Sequence, residues 1–234
     1  MAPLADNPRL TQFPPMRISL IHAMAPSIPP IVAAFQRLWP EATLMNLLDD
    51  SLAPDLTRDG TLTPAMTERF LGLARYARST GADGILFTCS AFGPCIEACA
   101  RELPIPVLKP NEAMIEEAVA LTGPHGRIGL MATFAPTLTS MPPEFAAVAP
   151  GVTLVNCLAE DALAALNAGS LDAHNAAAAR AARALTDCDT IALAQFSLSQ
   201  AADAVARATG KTVLTTPDSA VRKLRRLLLP PTAG

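Results

Sequence analysis

Short apolar runs alternate with longer segments of helical period along almost the whole chain. The runs are rich in Ile, Leu and Val without polar alternation, which is typical of strands buried on both faces. Between them, apolar residues recur at helical spacing, as Ile31, Ala34, Phe35 and Leu38 do. This order predicts an α/β fold of parallel sheets flanked by helices. The predicted strands cover residues 17–22, 43–48, 84–88, 106–108, 127–132, 153–157, 190–194 and 211–214.

The chain also repeats the order of its elements. Residues 81–121 and residues 187–227 each contain a strand, a polar turn, a helix, a second strand, a turn with proline and a helix. Aligning the first strands of the two segments brings Cys89 onto Gln195. The repeat predicts two similar lobes related by a pseudo-twofold axis, with a cleft where the carboxyl ends of the strands meet. Chance similarity between two βαβ units is the alternative.

The repeat also predicts where the lobes divide. Residues 1–16 are interpreted as an N-terminal arm, because they are rich in proline and lack the apolar core of a signal peptide. Residues 17–110 form the first predicted lobe and residues 111–216 the second. We expect a C-terminal helix at 217–229 to pack back on the first lobe.

Composition excludes several classes of function. The net charge is −3, and the 18 Lys and Arg residues form no stripe of the kind that binds nucleic acid. No apolar run approaches the roughly 20 residues of a membrane span. The five cysteines are odd in number and scattered, which favours a reduced, cytoplasmic setting over a disulfide framework. The alanine-rich stretch at 176–184, in a chain with few charges, predicts a homodimer unless these alanines pack against a sheet.

Cys89 is the first candidate functional residue. It lies between Thr88 and Ser90, directly after a predicted strand and shortly before a helix. Ligands of open α/β sheets bind beyond the carboxyl ends of strands, where helix N-termini present free N–H groups. A thiol in this place has its thiolate favoured and can carry protons or act as a nucleophile, while the neighbouring hydroxyls suit a carboxylate. The alternative is a buried core cysteine.

The strand with its Thr88-Cys89-Ser90 turn, the repeat and the chain length resemble the aspartate/glutamate/hydantoin racemase superfamily, from about Arg17 onward. The resemblance implies two lobes and chemistry without a cofactor at the carbon next to the carboxylate of a small molecule. In racemases of this superfamily, one cysteine from each lobe faces the substrate. One thiolate removes the α-proton, and the other thiol protonates the opposite face.

The sequence departs from that pattern in the second lobe. Gln195 occupies the position of the second cysteine, and Ser197 lies two residues on. An amide transfers protons poorly, and a serine needs a base to do so. The departure favours a one-cysteine enzyme, such as a decarboxylase or one-base isomerase in which Gln195 binds substrate, over a racemase, which stays the alternative within the superfamily. Met24, after the first strand, indicates a substrate less polar than the amino acids of these racemases, or a different substrate altogether.

Other residues have more than one interpretation. Thr133 matches a superfamily position that binds carboxylate, but its hydroxyl is equally suited to capping a helix. His22 is explained either by catalysis or by simple hydrogen bonding at a strand end. Asn111 is explained either by the site or as an N-cap, and the Asp49-Asp50 pair either by the site or by a loop. An alternative function is that of a catalytically inactive member that binds a carboxylate metabolite as a sensor or carrier.

No metal or nucleotide site is predicted. Cys95 and Cys99 lie one helical turn apart, but no paired histidines or C-x-x-C element complete a set of ligands. The sequence contains no G-x-G-x-x-G or Walker loop for a nucleotide and no G-x-S-x-G element of a hydrolase.

Overall fold

The structure is a computed structural model that describes residues 15–229, so most of the predicted N-terminal arm lies outside the described residues. Within this range no helix has the length and apolar character needed to cross a membrane. The strands are β1 Arg17–His22, β2 Thr43–Leu48, β3 Gly84–Phe87, β4 Val107–Leu108, β5 Arg127–Ala132, β6 Thr153–Leu158, β7 Thr190–Leu193 and β8 Thr212–Thr215. The α-helices are α1 Ile28–Leu38, α2 Leu52–Asp59, α3 Pro64–Ser79, α4 Gly93–Glu102, α5 Glu112–Thr122, α6 Ala135–Val148, α7 Glu160–Asn167, α8 Leu171–Ala182, α9 Ala202–Thr209 and α10 Thr216–Leu228.

These strands form two separate four-stranded sheets. The first has the order β2-β1-β3-β4 and the second β6-β5-β7-β8, and every recorded strand pair is parallel. Helices cover both sheets, so the predicted two-lobed α/β fold is confirmed. The predicted bounds of β1, β2 and β5 agree with the structure, and the other strands differ by one residue at one or both ends.

The strand register repeats as closely as the order of strands does. Ile85 pairs with Val107 in the first sheet, and Ile191 pairs with Val213 in the second. The two isoleucines therefore occupy equivalent positions, which supports the alignment made from the sequence. Because β3 and β7 have equivalent positions in their sheets, the turns that follow them, which contain Cys89 and Gln195, also start from equivalent positions.

The start of each sheet carries the same hydrogen bond. The backbone N–H of Arg17 donates to Asp83 Oδ2 at 2.8 Å, and that of Arg127 donates to Asp189 Oδ2 at 2.8 Å. In both cases a carboxylate just before the third strand satisfies a donor at the start of the central strand. The halves thus share scaffold contacts as well as topology.

The helices α5 and α10 connect the two sheets. On α10, Leu224 packs in one apolar cluster with Ile18 and Leu86 of the first sheet. On α5, Ile115 packs with Ile128 of the second sheet. The two helices are joined by ion pairs: Lys223 to Glu112 at 2.9 Å, Lys223 to Glu116 at 2.8 Å, and Arg222 to Glu117 at 3.1 Å. The last helix therefore covers the sheet formed by the first part of the chain.

The alanine-rich helix α8 does not present an exposed apolar face. Ala177, Ala178 and Ala182 are buried in the cluster beneath the second sheet. These alanines allow close approach of the helix to the strands, which is the alternative considered for this stretch. The homodimer remains a prediction, without this helix as its basis.

Candidate functional site

A cavity of about 220 Å³ lies where the carboxyl ends of the two sheets face each other. The turns after β1, β3, β4 and β7 all contribute to its walls, together with the first turn of α6. This is the cleft that the repeat predicts, and six of the predicted site residues line it. The lining consists of Met24, Pro26, Ser27, Thr88, Cys89, Ser90, Pro110, Asn111, Thr137, Ala194, Gln195, Phe196 and Ser197.

Cys89 lies on the first-sheet wall of this cavity. It lies two residues beyond the end of β3 with an extended backbone, and the 3-10 turn Ser90–Phe92 then leads into α4. Burial raises the pKa of the Cys89 thiol, and a hydrogen bond from the backbone N–H of Ala91 offsets only part of that effect. This direction is opposite to the expected favoured thiolate, because the cost of desolvating the charge exceeds the help from the backbone N–H of Ala91. Burial therefore favours the thiol form of Cys89.

Gln195 lies on the opposite wall and is fixed by Thr133. The backbone N–H of Thr133 donates to Gln195 Oε1 at 2.6 Å, and the Thr133 hydroxyl donates to the same oxygen at 2.9 Å. Because a backbone N–H can only donate, the atom facing it must be the amide oxygen. The amide nitrogen of Gln195 is thus the donor left for a ligand. Thr133 itself is 2 % exposed and does not line the cavity, so it positions Gln195 and neither caps a helix nor faces a ligand.

His22 lies behind the first-sheet wall and is completely buried. Its Nδ1 is 2.9 Å from Thr88 Oγ1 and 3.0 Å from Ser27 Oγ, and its Nε2 is 3.0 Å from Asn46 Oδ1. Burial lowers the pKa of His22, although the hydrogen bond with Asn46 acts in the opposite direction. His22 is therefore neutral near pH 7 and contacts two hydroxyls that line the cavity.

Two other candidates differ in their relation to the cavity. Asn111 lines it, and its side chain donates to Met141 Sδ at 2.9 Å and makes no capping bond to α5, so the capping interpretation is wrong. Asp49 is not part of the lining. It forms an ion pair with Arg69 at 2.7 Å and accepts a hydrogen bond from Ser51 Oγ at 2.6 Å, which gives it a structural role.

Sequence reasoning missed two hydroxyls in the cavity wall, Ser27 and Thr137. They lie in related stretches, residues 24–27 and 134–137, which both read apolar-Ala-Pro followed by a hydroxyl residue. Each stretch follows the central strand of its sheet. This short internal repeat was the signal in the sequence that could have identified the pair.

The remaining cysteines lie away from the cavity. Cys95, Cys99, Cys157 and Cys188 are buried free thiols. Within residues 15–229 no three or more His, Cys, Asp or Glu side chains are grouped closely enough to hold a metal ion. Among the described residues Cys89 is thus the thiol that lines the cavity.

The sequence profile described as Asp/Glu/Hydantoin racemase matches residues 28–224. This chain belongs to that family. No curated protein sequence matches the chain.

Several solved structures share the fold of this chain. An aspartate racemase homologue from Pyrococcus horikoshii OT3 has a TM-score of 0.69 at 15% identity, covering 91% of this chain and 98% of that chain. A mutant of arylmalonate decarboxylase in a sulfate-associated form has a TM-score of 0.65 at 20% identity, covering 91% and 93%. Allantoin racemase from Klebsiella pneumoniae has a TM-score of 0.65 at 18% identity, covering 91% and 87%. At these identities the likeness concerns the fold.

Proposed function

We propose that this protein is a cofactor-independent enzyme that transfers a proton at the carbon next to a carboxylate, with Cys89 as its acid/base residue. The observation that carries the proposal is the placement of the Cys89 thiol in the cleft between the sheets. The family includes racemases by its description, and arylmalonate decarboxylase shares the fold. Both names are consistent with isomerase or lyase chemistry.

The two walls of the cleft favour protonation from one side only. Gln195 lies on the wall opposite Cys89; its amide is too weak an acid for useful proton transfer, and its oxygen is occupied by Thr133. Racemisation through a planar carbanion requires a competent acid or base on each face. Decarboxylation or a one-base isomerisation therefore suits this cleft better than a two-thiol racemisation.

The raised pKa of Cys89 suits the donor role in such a reaction. Breaking the bond between the α-carbon and a carboxyl group releases CO₂ and leaves the electron pair on the α-carbon. The Cys89 thiol gives its proton to that carbon, and solvent reprotonates the resulting thiolate. Hydroxyls of Thr88 and Ser90, with the Gln195 amide N–H, are placed to bind the carboxylate that remains.

A screen for exchange of the α-proton in D₂O tests the proposal. Amino acids, hydroxy acids, hydantoins and malonates are incubated with the enzyme and followed by proton NMR. We expect exchange or loss of CO₂ with one class, and neither with the Cys89→Ala variant. Equal turnover by Cys89→Ala would show that Cys89 is structural.

The raised pKa also favours a second candidate, a family member that binds a carboxylate without turning it over, because a protonated thiol is a poor nucleophile. Binding and turnover measured on the same compounds separate the two candidates. A carboxylate that binds and shows α-proton exchange or loss of CO₂ favours the enzyme. A carboxylate that binds with neither reaction favours the binding protein.

A further inference from the structure

The amino ends of five helices lie around the cavity. The turns that lead into α1, α4, α5 and α9 line it, together with the first turn of α6. A helix carries partial positive charge at its amino end, because the first N–H groups have no partner within the helix. These five ends therefore favour an anion in the cavity and disfavour a cation.

The side chains of the lining carry no charge that would reverse this preference. Among the described residues they supply hydroxyls, amides, a thiol and apolar groups, and none is Asp or Glu. Burial raises the pKa of Cys89, so its thiol is not a source of negative charge near pH 7. Burying an ammonium group is costly unless a carboxylate or a set of acceptors replaces the lost water.

Several oxygens at the cavity already accept hydrogen bonds from the protein. The backbone carbonyls of Met24, Phe134 and Gln195 each accept from the N–H three residues further on, at 3.2, 3.1 and 3.2 Å. The side-chain oxygen of Gln195 accepts from both donors of Thr133. Asn111 uses its amide nitrogen on Met141 Sδ, so its oxygen remains as a neutral acceptor, which does not offset a full positive charge.

Two carboxylates outside the lining have cationic neighbours of their own. Asp49, after β2, forms its ion pair with Arg69 at 2.7 Å. Glu144, on α6, lies close to Asn111 and to Lys109. Neither carboxylate lines the cavity, and each has a cation of the protein beside it. They are thus not placed to bind an ammonium group of a ligand.

We propose that the cavity selects carboxylates that carry no ammonium group, so that the substrate is a hydroxy acid, an alkyl-substituted acid or a dicarboxylate and not an α-amino acid. The ammonium group of an amino acid is attached to the α-carbon that Cys89 must reach, so it would have to enter the cavity with that carbon. The inference rests on the proposed function in taking the ligand to be a carboxylate held beside Cys89.

Matched pairs of ligands measure this selection directly. Lactate and alanine differ only in an α-hydroxyl against an α-ammonium group, and so do mandelate and phenylglycine. Titration calorimetry at pH 7 gives each dissociation constant, and the side-chain amide signal of Gln195, assigned with Gln195→Ala, reports binding in the cavity by ¹⁵N–¹H NMR. We expect each hydroxy acid that binds to do so at least about tenfold more tightly than its amino acid. A smaller preference, or no binding by any of the four compounds, overturns the proposal.

A carboxylate added to the cavity should reverse the selection. Thr137→Asp places one in the first turn of α6, where an acidic side chain also suits the helix dipole, so the fold should be kept. Its repulsion of the ligand carboxylate is common to both members of a pair and cancels in their ratio. We expect the affinity for phenylglycine relative to mandelate to rise at least about tenfold.

The control for this variant adds the same charge on the same helix. Thr139 is exposed and does not line the cavity, so Thr139→Asp should leave the ratio within about twofold of wild type. An unchanged ratio in a folded Thr137→Asp protein, or equal changes in both variants, would show that charge in the cavity does not set the selection.

Failure of the proposed function would have a different result. Dissociation constants do not depend on turnover, so a protein that binds mandelate in preference to phenylglycine and converts neither keeps this inference and contradicts the enzyme. Exchange of the α-proton of an amino acid, lost in Cys89→Ala, would support the enzyme and overturn the inference.

Discussion

The two halves of the molecule hold different residues on equivalent backbone. In each half, a polar residue near the end of the central strand hydrogen-bonds to the turn that carries the site residue. In the first half this residue is His22, the last residue of β1. In the second half it is Thr133, the residue directly after β5. Successive residues of an extended chain point in opposite directions, so the two partners serve different neighbours. His22 binds Thr88, the residue before the site position, and leaves the Cys89 thiol without a side-chain partner among the described residues. Thr133 instead binds the residue at the site position itself, Gln195. A shift of one residue thus separates the wall with a free thiol from the wall with a fixed amide.

The largest expected difference between the halves is the loss of activity when Cys89 or Gln195 is replaced by alanine. Cys89→Ala removes the proposed proton donor and should lower the turnover rate on a substrate found by the exchange screen about 10³-fold. Gln195→Ala removes a binding amide and should lower kcat/KM only about tenfold. Cys188→Ala, a thiol in the second half away from the cavity, is the control. Comparable losses at Cys89 and Gln195 would contradict the assignment of different roles.

The stereochemistry of exchange should follow the same asymmetry. With one donor wall, wild type should exchange the α-proton of one enantiomer, with retention, at least about 100-fold faster than that of the other. Separate incubation of each enantiomer in D₂O, followed by chiral chromatography, measures this. Interconversion at equal rates from both sides would identify another acid on the second wall, with Ser197 as the first to test. Gln195→Cys places a thiol there and should gain slow racemisation.

The pH dependence of the activity should come from Cys89 in the first half and should not involve Gln195. A free cysteine loses its proton near pH 8.5. Burial raises the pKa of Cys89, so the thiol form persists to higher pH, and a reaction that needs the thiol should lose activity only above that range. Above the raised pKa, the rate should fall about tenfold per pH unit. Gln195→Ala should keep this profile, and a profile that falls between pH 6 and 8 would contradict the protonated thiol.

Releasing Gln195 from Thr133 should have a moderate effect. Thr133→Val removes the hydroxyl but keeps the backbone donor, so it should cost about 1 kcal/mol of stability and raise KM about fivefold with little change in kcat. Urea unfolding and steady-state kinetics measure the two effects. Thr57→Val, which removes an exposed hydroxyl on α2, is the matched control. An unchanged KM would show that the orientation of Gln195 does not matter.

The shared scaffold should respond equally in both halves, with the smallest effect. Asp83→Ala and Asp189→Ala each remove an acceptor for a backbone N–H at the start of a central strand. Each should lower the free energy of unfolding by about 1 kcal/mol. Values that differ by more than about 1 kcal/mol would show that the halves are alike in topology but not in energetics.

Sequence reasoning predicted the backbone of the site better than its hydrogen bonds. Apolar runs and helical spacing locate strands, and the alignment of the two repeats placed Cys89 opposite Gln195, because both depend on local patterns. The role of Thr133 could not be predicted, since its partner lies 62 residues away in the sequence. The state of Cys89 was predicted in the wrong direction. A helix N-terminus is visible in the sequence, whereas the burial that opposes it depends on the packing of both sheets.

The exchange of α5 and α10 between the sheets has a consequence for how the protein unfolds. Leu224 covers Ile18 from the far end of the chain, and Lys223 binds carboxylates of α5. The first sheet therefore keeps the apolar cover given by α10 only while the second half is folded. The second sheet likewise keeps the cover given by α5, which follows directly on β4, only while the first half is folded. We expect one cooperative transition for both halves, as in a small domain, with no stable fragment ending after β4.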